Sequence, residues 1–305
     1  MKFLKMNGKA RIGVLSLLLA TLFFSCSKSD DVKTIEGKGR LNVAITDAPF
    51  PIDIVDKTVV TIDKVEIAQT TQASEDEAET RTFVTLSEEE YEINLLDLAN
   101  GVTAQLASVD LEAGSYDQIR LHVVDAKVIL KDGTEFDLTI PSGSTSGLKV
   151  KIEPAVVIEE GTESSVLLDF DVSKSFVMQG NMNTPAGIKG FHFKPVVRAV
   201  FVGFAGQVEG HVTDDAEAIL ENAHIELWSL TETQEADTVV TSAFSDEAGF
   251  YKMIGLPEGT YHLSAAMENY DTIWVDNVAV EAGQTTTVDL ALTPVEEEAA
   301  ETTEE

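Results

Sequence analysis

Ser146-Gly147-Leu148-Lys149 has the spacing at which a lysine one helical turn away can activate a serine nucleophile. It sits in a Gly/Ser-rich turn entering a strand, without the partner motifs such a site uses, so Lys149 reads as strand surface. Asp169 and Asp171 lie two apart, which on a strand turns both carboxylates to one side. With Asp47 and Asp125 near other strand ends, they offer hard oxygen ligands of the kind calcium takes six to eight of. Aspartates at strand ends also cap turns, and no EF-hand loop is present. We expect no cofactor; should a metal be held, Asp47, Asp169 and Asp171 are the candidate ligands and Ca2+ the ion. His122, His192, His211, His224 and His262 are scattered singly, with no zinc spacing. The acidic pool is large, yet no spacing within it selects a carboxylate pair for glycoside hydrolysis. Gly37-Lys38-Gly39 lacks the third glycine of a phosphate loop. Trp228 and Trp274, with Tyr270, can stack on a sugar or fill a sandwich core. These side chains favour binding over catalysis.

The elements that must position them are short strands. Leu41, Val43 and Ile45 alternate inward over 39–46, and 59–68 continues the pattern with a phase slip near Asp63. Further strands are expected at 83–86, 118–124, 126–130, 135–138, 148–152, 165–170 and 191–202. Between them, 95–98 and 102–109 read as short helical pieces or turns. Asp132-Gly133 marks a hairpin, because that pair tolerates the positive φ a tight reversal needs. Near residue 204 the pattern restarts, with strands at 206–212, 223–230, 239–245, 250–254, 259–266, 273–280 and 285–292. The fold class is all-β: two β-sandwich domains in tandem, the second a seven-stranded, prealbumin-like sandwich. Strands supply scaffold and loops supply variation, so the polar loops 140–147 and 180–190 are the expected ligand sites. They carry Ser142, Ser144 and Ser146, and Asn181 and Asn183.

The N-terminus has Lys2, Lys5, Lys9 and Arg11 ahead of an apolar run over 12–24, too short for the roughly 20 residues of a spanning helix. The run ends in Leu22-Phe23-Phe24-Ser25-Cys26, which resembles a lipobox, whose cysteine becomes the acylated N-terminus of a lipoprotein. Two phenylalanines stand where leucine and a small residue are commonest. Cys26 is the only cysteine, which excludes an intramolecular disulfide and a thiolate zinc site. Several acyl chains, each methylene contributing about 0.8 kcal/mol, anchor a protein durably. Ser27-Lys28-Ser29-Asp30-Asp31 resembles the acidic run that directs some lipoproteins to the cell surface. We therefore expect an outer membrane lipoprotein exposed at the cell surface, a periplasm-facing position being the alternative. The whole chain carries −32, and removing the leader takes away four cations and no anion. Such a body repels phosphates, so no nucleic acid partner is expected. Acidic blocks at 75–79, 88–90 and 296–305 read as solvated loops and tail.

Two resemblances accompany these readings. Gly206 to Val212, Ser245-Asp246-Glu247-Ala248-Gly249-Phe250-Tyr251 and Gly255-Leu256-Pro257-Glu258-Gly259-Thr260-Tyr261 resemble the carboxypeptidase regulatory-like, transthyretin-related sandwiches. That resemblance implies a structural or spacer module with no catalytic residue. Gly39-Arg40-Leu41 through Thr46-Asp47-Ala48-Pro49, Tyr116-Asp117-Gln118-Ile119-Arg120-Leu121, Leu168-Asp169-Phe170-Asp171 and Phe193-Lys194-Pro195-Val196-Val197-Arg198 resemble the DUF4382 family of bacterial lipoproteins. It implies a fold and an address but no reaction.

The expected organisation is a signal peptide at 1–25, a tether at 26–38, a DUF4382-like domain at 39–203, a second sandwich at 204–293 and an acidic tail at 294–305. The expected function is a lipid-anchored, non-enzymatic binding or adhesion module whose second domain acts as spacer. Its partners would be the membrane through Cys26 and a glycan or an envelope protein. A structural subunit of an envelope assembly is the alternative, and a carboxylate-dependent hydrolase ranks third.

Overall fold

The computed structural model describes residues 37–48, 54–70, 82–140, 146–181, 187–229 and 238–295. Cys26, Ser142, Ser144 and Asn183 lie outside them, as do the acidic block 75–79 and the tail from 296.

The first domain is one sheet folded over on itself. Its strands are β1 (Lys38–Ala48), β2 (Val55–Gln69), β3 (Phe83–Ser87), β4 (Tyr91–Asn94), β5 (Ala104–Glu112), β6 (Gly114–Leu130), β7 (Glu135–Asp137), β8 (Leu148–Ile158), β9 (Glu163–Asp171), β10 (Phe176–Gly180), β11 (Ile188–Phe193) and β12 (Val197–Phe201). Hydrogen bonding runs β3-β2-β6-β8-β12-β9-β1-β5, with β4 on β2, β7 on β6, and β10-β11 as a separate ribbon. The two halves join where Ala199 of β12 meets Ile152 of β8 in a single parallel register. Their inner faces bury Leu41, Val43 and Ile45 of β1 against Val60, Ile62, Val65 and Ile67 of β2. Phe170, Phe176 and Phe193 close one end, with ring centroids 5.0 to 6.4 Å apart. The slip near Asp63 is a pair of register shifts between Thr61 and Lys64 against β6.

Residues 102–109, expected as a short helical piece or turn, instead enter strand β5 from Ala104 onward, paired antiparallel with β1 from Lys38↔Glu112 to Ile45↔Ala104. A bulge between Val43 and Ala44 offsets the pairing, and both Leu106 and Ala107 are buried, so the apolar positions lose strict alternation. The expected helical piece at 95–98 is a 3-10 turn, Leu95–Leu98. The strand expected over 191–202 is broken at Lys194-Pro195-Val196. Pro195 has no N–H to give a ladder, and Val196 N–H donates to Ser175 Oγ (2.9 Å) instead.

The second domain is a sandwich with its own core. Its strands are β13 (Ala205–Asp214), β14 (His224–Ser229), β15 (Val239–Phe244), β16 (Phe250–Pro257), β17 (Gly259–Ala266), β18 (Ile273–Val280), β19 (Thr285–Thr287) and β20 (Leu290–Leu292). One sheet is β16-β13-β19 with β20 also on β13; the other is β15-β14-β17-β18. The last of the seven expected strands is thus two pieces. Between them, Val288 accepts a 2.6 Å bond from the Tyr251 hydroxyl and donates its N–H to Glu209 O. Val208, Val212, Ile225, Leu227, Tyr251 and Leu263 fill the space between the sheets. Asp246 Oδ1 accepts from Ala248 N and Phe250 N, and Gly249 at φ 75° completes that hairpin.

Candidate functional site

The two sandwiches are docked, and clefts open at the joint between them. Asn100 follows the 3-10 turn in a left-handed conformation (φ 54°), which asparagine tolerates better than most residues. Its Nδ2 donates to Phe244 O of β15 (3.1 Å), and its Oδ1 accepts from Lys252 N of β16 (3.4 Å). One amide thus bridges both sheets of the second domain to the first. Gly255 (φ 68°) lies so close to Leu167 that a Cβ there would come within 2.9 Å of Leu167 Cδ2. Lys252 Nζ meets Glu209 Oε2 at 2.7 Å.

On one side of this joint a cleft of about 180 Å³ opens between Asp171, Ser173 and Lys174 of the first domain and His224, Glu226 and Ser242 of the second. The first-domain wall is the helical turn Val172–Ser175, capped by Asp171, whose Oδ1 accepts from Lys174 N (2.9 Å) and Ser173 Oγ (2.7 Å). The second-domain wall is the outer face of β14 and β15. His224 stacks on Phe244 at 4.7 Å, and burial pulls its pKa down against the pull of Glu226. On the other side, a cleft of about 510 Å³ is lined by Thr103, Gln207, Lys252, Ile254 and Gln284.

Further along the same outer face, Trp228 of β14 and Trp274 of β18 touch, with centroids 5.5 Å apart and planes inclined at 47°. Neither belongs to the core, and Trp274 is 55% exposed. Tyr270 packs against the core and pairs its backbone with Pro294. Trp228 Nε1 donates to Ser264 Oγ (2.9 Å), and His262 Nδ1 lies 2.6 Å from Asp276 Oδ1.

The three metal candidates stand close in sequence register, Thr46 opposite Asp169 and Ala48 opposite Asp171, but hold separate partners. Asp169 accepts from Arg198 Nη2 (2.8 Å), Asp171 also meets Lys174 Nζ (2.7 Å), and Asp47 Oδ1 accepts from Val172 N (3.2 Å). Burial pushes the Asp169 carboxyl above its ordinary range, against the downward pull of Arg198. Among the described residues, no three His, Cys, Asp or Glu side chains are arranged to hold a metal ion. Of the loop candidates, Ser146 and Asn181 are exposed, and Asn181 N–H bonds Gly187 O (3.2 Å). The end of that second loop, Gly187-Ile188, borders an apolar cleft of about 500 Å³ with Ile54, Leu130 and Phe136.

One cluster escaped the sequence reading. Glu66 of β2, only 8% exposed, meets Lys64 Nζ (2.7 Å), His122 Nε2 (3.1 Å) and Arg120 Nη1 (3.4 Å), while the Arg120 guanidinium lies 3.5 Å above the Phe83 ring. Burial pushes the Glu66 carboxyl up, but the bonds from Lys64 and His122 outweigh it, and the net is a value below the ordinary range. Cross-strand register brings the four together: Lys64 lies opposite His122 and Glu66 opposite Arg120. No sequence spacing links 64–66 to 120–122. The cluster ties β2 to β6 through one carboxylate shared by two cations and an imidazole.

Comparison with known proteins follows the two domains. The family model described as "Domain of unknown function (DUF4382)" matches residues 38–195, and the "Carboxypeptidase regulatory-like domain" matches residues 207–293. Neither description names a reaction. No curated protein matches the chain. Among solved structures, wild-type catechol 1,2 dioxygenase of Acinetobacter radioresistens is 15% identical over 33% of this chain and 55% of its own, with a TM-score of 0.25. The minor pilin of Streptococcus agalactiae is 10% identical over 85% of this chain and 98% of its own, at 0.24. The Bacillus anthracis TIE protein is 15% identical over 85% of this chain and 34% of its own, at 0.25. The chain spans only 55% and 61% of the first two dioxygenases it matches. At such scores none of these likenesses bears on activity. What the 38–195 match does carry is membership: with more than half its length covered, this chain belongs to the DUF4382 family, followed in tandem by a carboxypeptidase regulatory-like sandwich.

Proposed function

We propose that this chain is a lipid-anchored protein of the outer membrane, held by Cys26 and facing the cell exterior, that binds a ligand there without transforming it. The observation that supports this reading is the cleft with one wall from each sandwich, Asp171 and Lys174 facing His224 and Glu226. Ligand sites recur at domain junctions, because two rigid bodies meeting leave a concave surface that neither has alone. The Asn100 bridge fixes the walls against each other, so a ligand meets a preformed surface and binding costs little ordering entropy. On this reading the second sandwich is more than a spacer, since it supplies half of the site.

The test is made in cells. Chain carrying natural Cys26 takes up a clickable fatty acid and fractionates with the outer membrane, whereas Cys26→Ser does neither. Purified full-length Cys26→Ser chain, which lacks the lipid anchor, sediments saturably with washed envelopes, and adding Glu226→Lys, which reverses one wall's charge, weakens this about tenfold. Acylation that survives Cys26→Ser would refute the anchor. Sedimentation indifferent to Glu226→Lys would refute the junction as the binding surface.

A further inference from the structure

We infer that the outer face of β14, β17 and β18 is a saccharide-binding platform for neutral pyranose rings, continuous with the junction cleft. This rests on the reading of that cleft as a binding site and names what occupies it.

Four observations converge. First, Trp274 leaves more than half its surface in solvent on a strand whose other face supplies Val278 and Val280 to the core. A tryptophan so placed forgoes the burial that usually stabilises it, whereas the face of a pyranose ring restores that contact on binding. Second, the two indoles touch each other, and Trp228 is pinned by its bond to Ser264, so they form one surface of fixed orientation. Third, the platform is bordered by hydrogen-bonding groups set by strand register. Asp276, its side chain 68% exposed, stands beside His262, which lies opposite Trp228, and Glu226 lies across Ser264 from Trp274, Ser264 itself being buried with its Oγ accepting from Trp228. Carboxylates and an imidazole beside an aromatic plane suit the vicinal hydroxyls of a sugar. Fourth, Glu226 precedes Trp228 by two on the same strand, which puts it on the same face about 7 Å away. Glu226 also lines the cleft with Asp171 and Lys174. A chain of sugars can therefore stack one ring on the tryptophans and reach the first domain with the next.

Charge selects among sugars. With Asp276 and Glu226 at the rim of a chain carrying −32, uronic acids and sulfated rings are repelled. A quaternary ammonium ligand is the other chemistry tryptophan favours, but it needs rings spaced around a gap, and these two are in mutual contact.

The chain supplies its own probe: Trp228 and Trp274 are its only tryptophans, so selective tryptophan emission reports on the platform alone. Full-length chain in a zwitterionic detergent free of sugar headgroups is titrated with neutral α- and β-linked hexose oligosaccharides. Oligogalacturonate and tetramethylammonium serve as charged comparisons. We expect a saturable emission shift with at least one neutral series, a weakening of tenfold or more in Trp274→Ala, and retention of most affinity in Trp274→Phe. Because Trp274 is exposed, the alanine variant keeps its melting temperature, so its loss of binding is not a loss of fold. No saturable response to any neutral sugar overturns the inference, as does a response to tetramethylammonium or oligogalacturonate alone. Envelope sedimentation that depends on Glu226 but is insensitive to competing sugar would overturn this inference and leave the junction reading standing.

Discussion

Asp169 and Arg198 form an ion pair at 2.8 Å between β9 and β12. Their strands pair antiparallel with these two residues opposite each other, and the carboxylate is buried while the guanidinium reaches solvent. Removing one partner of a buried pair leaves an uncompensated charge, at a cost of about 3 kcal/mol. Burial raises the folded pKa of Asp169 above its unfolded value, so its ionised form costs stability above the folded pKa, and the cost is relieved as pH falls. Arg198→Ala raises that pKa further. The variant should therefore lose about 3 kcal/mol at pH ~7, with the deficit shrinking as pH approaches the unfolded value of about 3.9. Urea unfolding at neutral and acid pH measures both; a deficit independent of pH would mean that Arg198 acts by packing. Asp169 and Asp171 were legible as same-side carboxylates from their spacing. Their partners were not, because Arg198 is 29 residues away and arrives only through sheet pairing.

Among the elements, the break between β19 and β20 shows how a glycine sets a strand's path. A Cβ on Gly210 would lie 1.9 Å from Val288 O, the same oxygen that accepts from Tyr251. Gly210→Ala should destabilise the second sandwich by about 2 to 3 kcal/mol, within the range for overpacking a filled site. Thermal unfolding followed by near-ultraviolet circular dichroism would show this, and a wild-type melting temperature would refute the close approach. Strands with clean alternation, such as β1 and β14, were readable from sequence. Strand β5 was not, because its bulged pairing with β1 buries two successive residues and only the partner strand explains that pattern. β10 and β4, five and four residues long, were likewise missed; strands this short leave periodicity little to register, and β3 and β7 were legible only beside their neighbouring turns.

For the whole molecule, the joint between sandwiches decides whether they unfold together. Asn100 provides two of the hydrogen bonds that span it, and its left-handed backbone suits asparagine and glycine but disfavours alanine. Scanning calorimetry of the natural chain should give one cooperative transition, and Asn100→Ala should separate it into two as the domains uncouple. A single unchanged transition in the variant would show that the joint does not rest on Asn100. Net charge was legible from composition, but it describes the distant field only. The cations Lys64 and Arg120 gather around Glu66 on one face, where the local balance differs from that of the chain.

The sequence by itself determined the all-β class and the tandem arrangement, since period-two alternation and turn residues are local properties of the chain. It also marked the cysteine, the tryptophans and the strand-end aspartates as residues worth following. Only the tertiary structure decided where those side chains point. Trp228 and Trp274 are 46 residues apart and could equally have met in the core, because a strand offers each residue two faces and register chooses between them. The cleft between the domains was beyond sequence reading for the same reason: its walls come from residues 171–174 and 224–242, which only the docked fold brings together.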